Sequence, residues 1–171
     1  MSYYLLEDKP TRFEIWMDFG TKTAGEKTIM DGLSQLFTEQ IQWDIQFQFK
    51  GGETVGAHVF ILSAGSPVFA AMFRTDMVEA QTRRVTIENI ERNVFWQLLI
   101  YLYTGSCPKV EDDNMTQLLF EAADMYDVET LKCECVDILL ARLTVDNAVD
   151  LLIWAHLRSI PNLFELKHRW R

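Results

Sequence analysis

Three histidines and three cysteines are the side chains of this 171-residue chain best suited to nucleophilic, acid-base or metal chemistry near neutral pH. Their neighbours argue against each use. His58 stands between Ala57 and the apolar run Val59 to Leu62, the setting of a hydrogen-bonded structural histidine rather than a general base. His156 and His168 have no Ser, Cys or Asp at motif spacing, and no Gly-rich phosphate loop or metal-binding His pair occurs. Cys133 and Cys135 lie two apart on a predicted helix, so their side chains leave on nearly opposite sides and do not share one metal. With Cys107 they make an odd set with no disulfide framework, which predicts reduced thiols. The expectation is a chain without catalytic residues, metal or cofactor.

Composition points the same way. Nearly half of the residues are apolar and the formal charge is -9, which describes an acidic globular protein and disfavours nucleic acid, whose phosphates need clustered Lys and Arg. The length suits one domain of about 110 to 130 residues with two flanks. No apolar run reaches the roughly 18 residues of a membrane span, and the N-terminus lacks the pattern of a signal peptide, so a nuclear or cytoplasmic protein with no membrane partner is expected. The basic tail Lys167 to Arg171 reads as a helix end complementing its dipole rather than as an address.

The elements that must position any functional side chain are legible from periodicity. Ile45, Phe47 and Phe49 alternate with Gln46 and Gln48 as in a half-buried strand, Gly51-Gly52 permits a tight reversal, and the apolar run from Ala57 to Leu62 reads as the returning strand. Ser66 is placed to cap a helix and Pro67 suits its first turn. Val85 and Ile87 mark a further strand, and Val94 to Tyr103 a helix closed by Gly105. Helices then follow around Leu118 to Tyr126, Leu131 to Leu139 and Ala148 to Ala155, the last capped by Thr144 or Asp146, with a short helix from Pro161 to Leu166. Ile29, Leu33, Leu36 and Phe37 give an amphipathic helix over 29–41 ahead of the hairpin, Gly20 to Lys27 reads as a linker, and Arg12 to Phe19 alternates like a lone strand. Strands first and helices after predict an α+β fold with helices packed on a small β-sheet.

The Asp44-led strand, Ala57-His58, the aliphatic pair Ile61-Leu62, Ser66-Pro67-x-Phe69 and Met72-Phe73 together resemble the BTB/POZ domain. Tyr101-Leu102-Tyr103-Thr104-Gly105 and Leu118-Leu119-x-x-Ala122-Ala123-Asp124-x-Tyr126 extend the resemblance to about residue 143. The wording is most similar to the speckle-type POZ proteins, because Leu143 to Ala155 resembles the helix pair that follows their BTB domain. The division implied is an N-terminal strand and linker over 1–28, a BTB/POZ domain over 29–143 and a truncated helical extension over 144–171.

In that family the domain dimerises and holds a cullin scaffold for ubiquitination, so the resemblance implies a homodimeric substrate adaptor of a cullin-RING ubiquitin ligase. It assigns cullin contact to Met77, Val78 and Glu79, which match an apolar-any-Glu motif, and to Asp124, although Met125 stands where a Lys is common. The same tripeptide also reads as an ordinary solvated loop with one apolar residue tucked down. Dimerisation is carried over to Ile29, Leu33, Leu36 and Ile61, with packing of that stripe on its own core as the competing reading. Relatives that act as zinc-finger repressors carry a basic residue after Ala-His, where this chain has Val59, so their charged pocket is expected to be missing. The alternative to the adaptor is a BTB scaffold that pairs with itself or with related BTB proteins without a cullin. Arg12 to Phe19 reads either as the remnant of an upstream MATH domain or as a strand exchanged between subunits, and is too short to form a β-sandwich itself.

Overall fold

The computed structural model describes residues 24–74, 77–106, 113–158 and 160. A three-stranded mixed sheet is built from β1 (Ile45–Phe49), β2 (Thr54–Ala57) and β3 (Arg84–Ile87) in the order β2-β1-β3. β1 and β2 form the predicted antiparallel hairpin, with Phe47 opposite Val55. Gly52 takes the left-handed turn position at φ 80° and donates its N–H to the Phe49 carbonyl, a backbone that glycine adopts without strain. β3 lies parallel to β1, with Phe47 opposite Val85. The alternation holds: Ile45, Phe47 and Phe49 are buried, whereas Gln46 and Gln48 are not.

Eight helices complete the described residues: α1 (Ala24–Thr38), α2 (Val59–Gly65), α3 (Pro67–Met72), α4 (Val78–Thr82), α5 (Arg92–Thr104), α6 (Asp113–Met125), α7 (Glu129–Ala141) and α8 (Ala148–Leu157). α5 is the central helix, burying Val94, Phe95, Leu98 and Leu99. Gly105 ends it in the left-handed conformation at φ 65°, donating to the Tyr101 carbonyl, as its position after the apolar run predicts. Phe47, Phe69, Phe95 and Tyr126 join sheet, α3, α5 and the end of α6 into one aromatic cluster, with ring centroids 4.4 to 6.4 Å apart.

Three expectations are corrected. The apolar run after Ala57 does not continue as a strand: β2 stops at Ala57 and Val59–Gly65 is helical, so Ile61 lies on α2 rather than on a strand. A short apolar run fits either element, and what decides it here is distant: Asp44 Oδ1 accepts the Val59 N–H at 2.8 Å and satisfies the start of α2 from 15 residues away. The linker is shorter than read, since Ala24 to Lys27 already belong to α1; Ala24, Glu26 and Lys27 favour helix, and their sum outweighs Gly25. The tripeptide Met77-Val78-Glu79 is not a loop, because Met77 is the N-cap of α4 and the other two form its first turn.

Local caps follow the sequence closely elsewhere. Ser66 Oγ accepts the Phe69 N–H at 3.1 Å, and Pro67 opens α3. α8 is the exception: its N-cap is Asn147, without a side-chain cap bond, and not Thr144 or Asp146; Thr144 Oγ1 accepts the Asn147 N–H at 3.3 Å and Asn147 Oδ1 accepts the Thr144 N–H at 2.7 Å, which closes the turn that leads into the helix. The strand read over Arg12 to Phe19, the helix read from Pro161 and Cys107 lie outside the described residues.

Candidate protein-interaction site

The histidine with the most suggestive setting is fully used by the fold. Tyr103 is buried on α5, and its hydroxyl oxygen accepts the His58 N–H at 2.8 Å. His58 Nε2 lies 3.0 Å from the Ile41 carbonyl, which only accepts, so Nε2 carries the proton and Nδ1 accepts the Tyr103 O–H at 2.7 Å. Burial, ahead of the field of Asp44, pushes the Tyr103 phenol up to about 12 despite the His58 N–H. His58 therefore pins α2 and the residues before β1 to α5. Cys135 is buried and Cys133 half-buried on α7, with no disulfide between them, and no group of three metal-ligating side chains occurs among the described residues. No described helix is long and apolar enough to cross a membrane.

Two surfaces stand out instead. The first is α1 with the start of α2. Phe37 anchors α1 by packing between Trp96 and Tyr103 of α5, with centroids at 4.5 and 4.7 Å, and Leu33 packs on the same core. Leu36 is half-buried. Toward its N-terminus the helix leaves the core: Ala24 to Met30 are all exposed, and Ile29 keeps 64% of its surface. Ile61 turns inward and is half-buried, while its neighbour Phe60 is 80% exposed. Of the four residues read as one interface, Leu33 and Ile61 pack largely on their own core, and Ile29 is the one that projects. Met30 and Phe60 were not read from the sequence. Phe60 lies in an apolar run whose sequence fits a strand as well as the helix it forms.

The second set of exposed residues lies on α4 and on the end of α6. Met77 and Val78 are 42% and 68% exposed at the start of α4, with Glu79 in the first turn, where a carboxylate faces the positive end of the helix. Asp124 and Met125 are both exposed on the last turn of α6. α3, which leads into the α4 segment, is fastened to the end of α6: Ser66 Oγ donates to the Tyr126 carbonyl at 2.5 Å, and Phe69 stacks on Tyr126 at 4.4 Å. The clamp joins α3 to the end of α6, while Met77, Val78 and Glu79 lie on the next helix along the chain.

Asp124 is not alone there. Lys132, one helix further on, places Nζ 2.7 Å from Asp124 Oδ1 and 3.2 Å from Glu129 Oε2. Burial alone would lower this ammonium, but the two carboxylates outweigh it and hold it above the usual lysine value. A recess of about 270 Å³ lies beside the pair, lined by Phe120, Glu121, Asp124, Met125 and Arg158. Arg158, the C-cap of α8, meets Glu121 at 2.5 Å and lines the recess, and Trp154 of α8 packs edge-on against Phe120 at 5.2 Å.

A family model of the BTB/POZ domain matches residues 33–143, well over half of the chain and every described element from the middle of α1 through α7. That domain is a protein-interaction module that self-associates and binds other proteins. The small mixed sheet and the helices packed on it agree with that match. This chain is a member of the BTB/POZ domain family.

Proposed function

We propose that the chain is a dimeric adaptor that binds the N-terminal domain of a cullin within a ubiquitin ligase, as its resemblance to the speckle-type POZ proteins implies. The observation that carries this reading is the exposed Met77-Val78 pair, fixed at the N-terminus of α4 with Glu79 beside it. A flexible thioether and a β-branched methyl pair offer shape to an apolar pocket, and the adjacent carboxylate supplies orientation. Asp124 and Met125 extend the contact onto α6. Dimerisation uses the projecting end of α1, with Ile29 at its centre and Leu33, Leu36 and Ile61 behind it, and joins equivalent patches about a two-fold axis. Two cullin sites and two attached substrate sites per particle then raise avidity without new contacts.

The charged pocket of the zinc-finger-repressor relatives is not part of this reading. Val59 replaces the basic residue, and the nearby Asp44 carboxylate is engaged by the Val59 N–H. The test is calorimetric titration of the purified chain with a recombinant cullin N-terminal domain, using wild type and Met77→Asp. Saturable binding that Met77→Asp weakens at least about tenfold while leaving the dimer intact is expected, since truncating or charging an interface anchor costs on the order of 2 kcal/mol. No binding by wild type would refute the adaptor and leave the self-associating scaffold, which the exposed Ile29 and Phe60 equally favour.

A further inference from the structure

Lys132 is the side chain of the second surface that neither the motif nor the resemblance assigns. Its ammonium is partly buried, with 22% of the side chain exposed, and it sits 5.9 Å from the centroid of the Phe120 ring, which lines the recess. From there it holds Asp124 through Oδ1, while the Asp124 side chain remains 63% exposed. Glu129, three residues before Lys132 on the same helix, holds the ammonium from the other side. The carboxylate of Asp124 is thus fixed in direction yet still faces solvent.

We infer that Lys132 is the positioning residue of the α6 half of the interface, holding Asp124 in the orientation a partner's donor meets and supplying from α7 the cation that Met125 does not supply on α6. This inference rests on the adaptor reading and adds to it a statement about the partner. Lys132 is shared between Asp124 and Glu129, so the three groups keep a net negative charge, and with an exposed thioether next to Asp124 the surface selects a partner residue that is apolar opposite Met125 and donates a hydrogen bond to Asp124. An acidic partner residue, which a Lys at 125 would have attracted, is not selected. A held carboxylate also loses less side-chain freedom on binding than a mobile one, so the contact gains from orientation as well as from charge.

The experiment is a double-mutant cycle on the full chain, titrated with the recombinant cullin N-terminal domain. Lys132→Ala is expected to weaken binding about three- to tenfold, and Lys132→Arg to restore most of it. In an Asp124→Asn background Lys132→Ala should have almost no further effect, because its action passes through Asp124. Dimer mass and thermal midpoint are measured for each variant, and because a lowered midpoint leaves the cycle interpretable only for folded protein, Lys132→Met serves as a second truncation that keeps the apolar stem. Equal loss from Lys132→Ala with and without Asp124, or unchanged binding of Lys132→Ala and Lys132→Met, overturns the inference while the adaptor reading stands. Failure of wild type to bind removes both.

Discussion

Replacing Ser66 by Ala tests the clamp that joins α3 to the end of α6. Ser66 is 1% exposed, and its hydroxyl makes two bonds at once: it accepts the Phe69 N–H as the cap of α3 and donates to the Tyr126 carbonyl at 2.5 Å. Loss of a Ser cap costs about 1 kcal/mol. Leaving a buried carbonyl without this donor costs a further ~1–3 kcal/mol. The expected loss is therefore about 2–4 kcal/mol, which at a denaturant slope of about 2 kcal/mol/M lowers the urea midpoint by roughly 1–2 M. The assay is urea unfolding followed by far-UV circular dichroism at fixed protein concentration, because the proposed dimer would make the midpoint concentration-dependent. Thr82→Ala is the control: Thr82 is exposed and bonds only to carbonyls in and beside its own short helix, so a loss below about 0.5 kcal/mol is expected. A Ser66→Ala midpoint within about 0.3 M of wild type would refute the argument that this hydroxyl joins α3 to the end of α6.

Other perturbations give separate readouts. Gly56→Ala would place a Cβ 2.3 Å from Trp43 Cγ, and because Gly56 is buried in β2 with its N–H and carbonyl both bonded to the Gln40 amide, we expect a loss of about 1–3 kcal/mol in the same urea assay; a neutral effect would mean that Trp43 moves freely aside. Burial raises Tyr101, Tyr103 and Tyr126 to about 12 from 10.0, so the unfolded chain loses these protons first as pH rises. Stability from this source is fully present below pH 10 and falls between about 10 and 12, and thermal midpoints measured against pH alongside tyrosinate absorbance should show it; a decline complete before any tyrosine ionises would contradict it. Ile29→Asp should convert the dimer to monomer by sedimentation velocity without lowering the urea midpoint of the monomer, whereas Leu33→Asp, which packs on the core, should lower both; identical behaviour of the two would contradict the division of α1 into a projecting and a packed part.

What the sequence made legible was local chemistry with a fixed offset. Ser66-Pro67 ahead of Phe69, Gly52 in the hairpin, Gly105 after Tyr103 and the alternation of Ile45, Phe47 and Phe49 each state their geometry within four residues. What was not legible depends on partners far along the chain. Val59–Gly65 is a helix because Asp44 caps it and His58 is tied to Tyr103, 45 residues on, and no periodicity in an apolar run announces either fact. The parallel pairing of β3 with β1 joins segments nearly 40 residues apart, as the register of Phe47 with Val85 shows. The same limit applies to the candidate surfaces. Motif spacing located Met77, Val78, Glu79 and Asp124, but the exposure of Phe60 and the hold of Lys132 on Asp124 follow from helix packing alone. Phe60 and Ile61 are neighbours in one apolar run, and only the turn of α2 sends the first outward and the second in.

The adaptor account is tested most directly by the mass of the purified chain, alone and mixed with a recombinant cullin N-terminal domain, measured by size-exclusion chromatography with light scattering. The account predicts a dimer of about twice 19.9 kDa that takes up two cullin domains, with Met77→Asp remaining a dimer that takes up none. A dimer that ignores the cullin at micromolar concentration would contradict the adaptor, and a monomer would contradict the interface centred on Ile29.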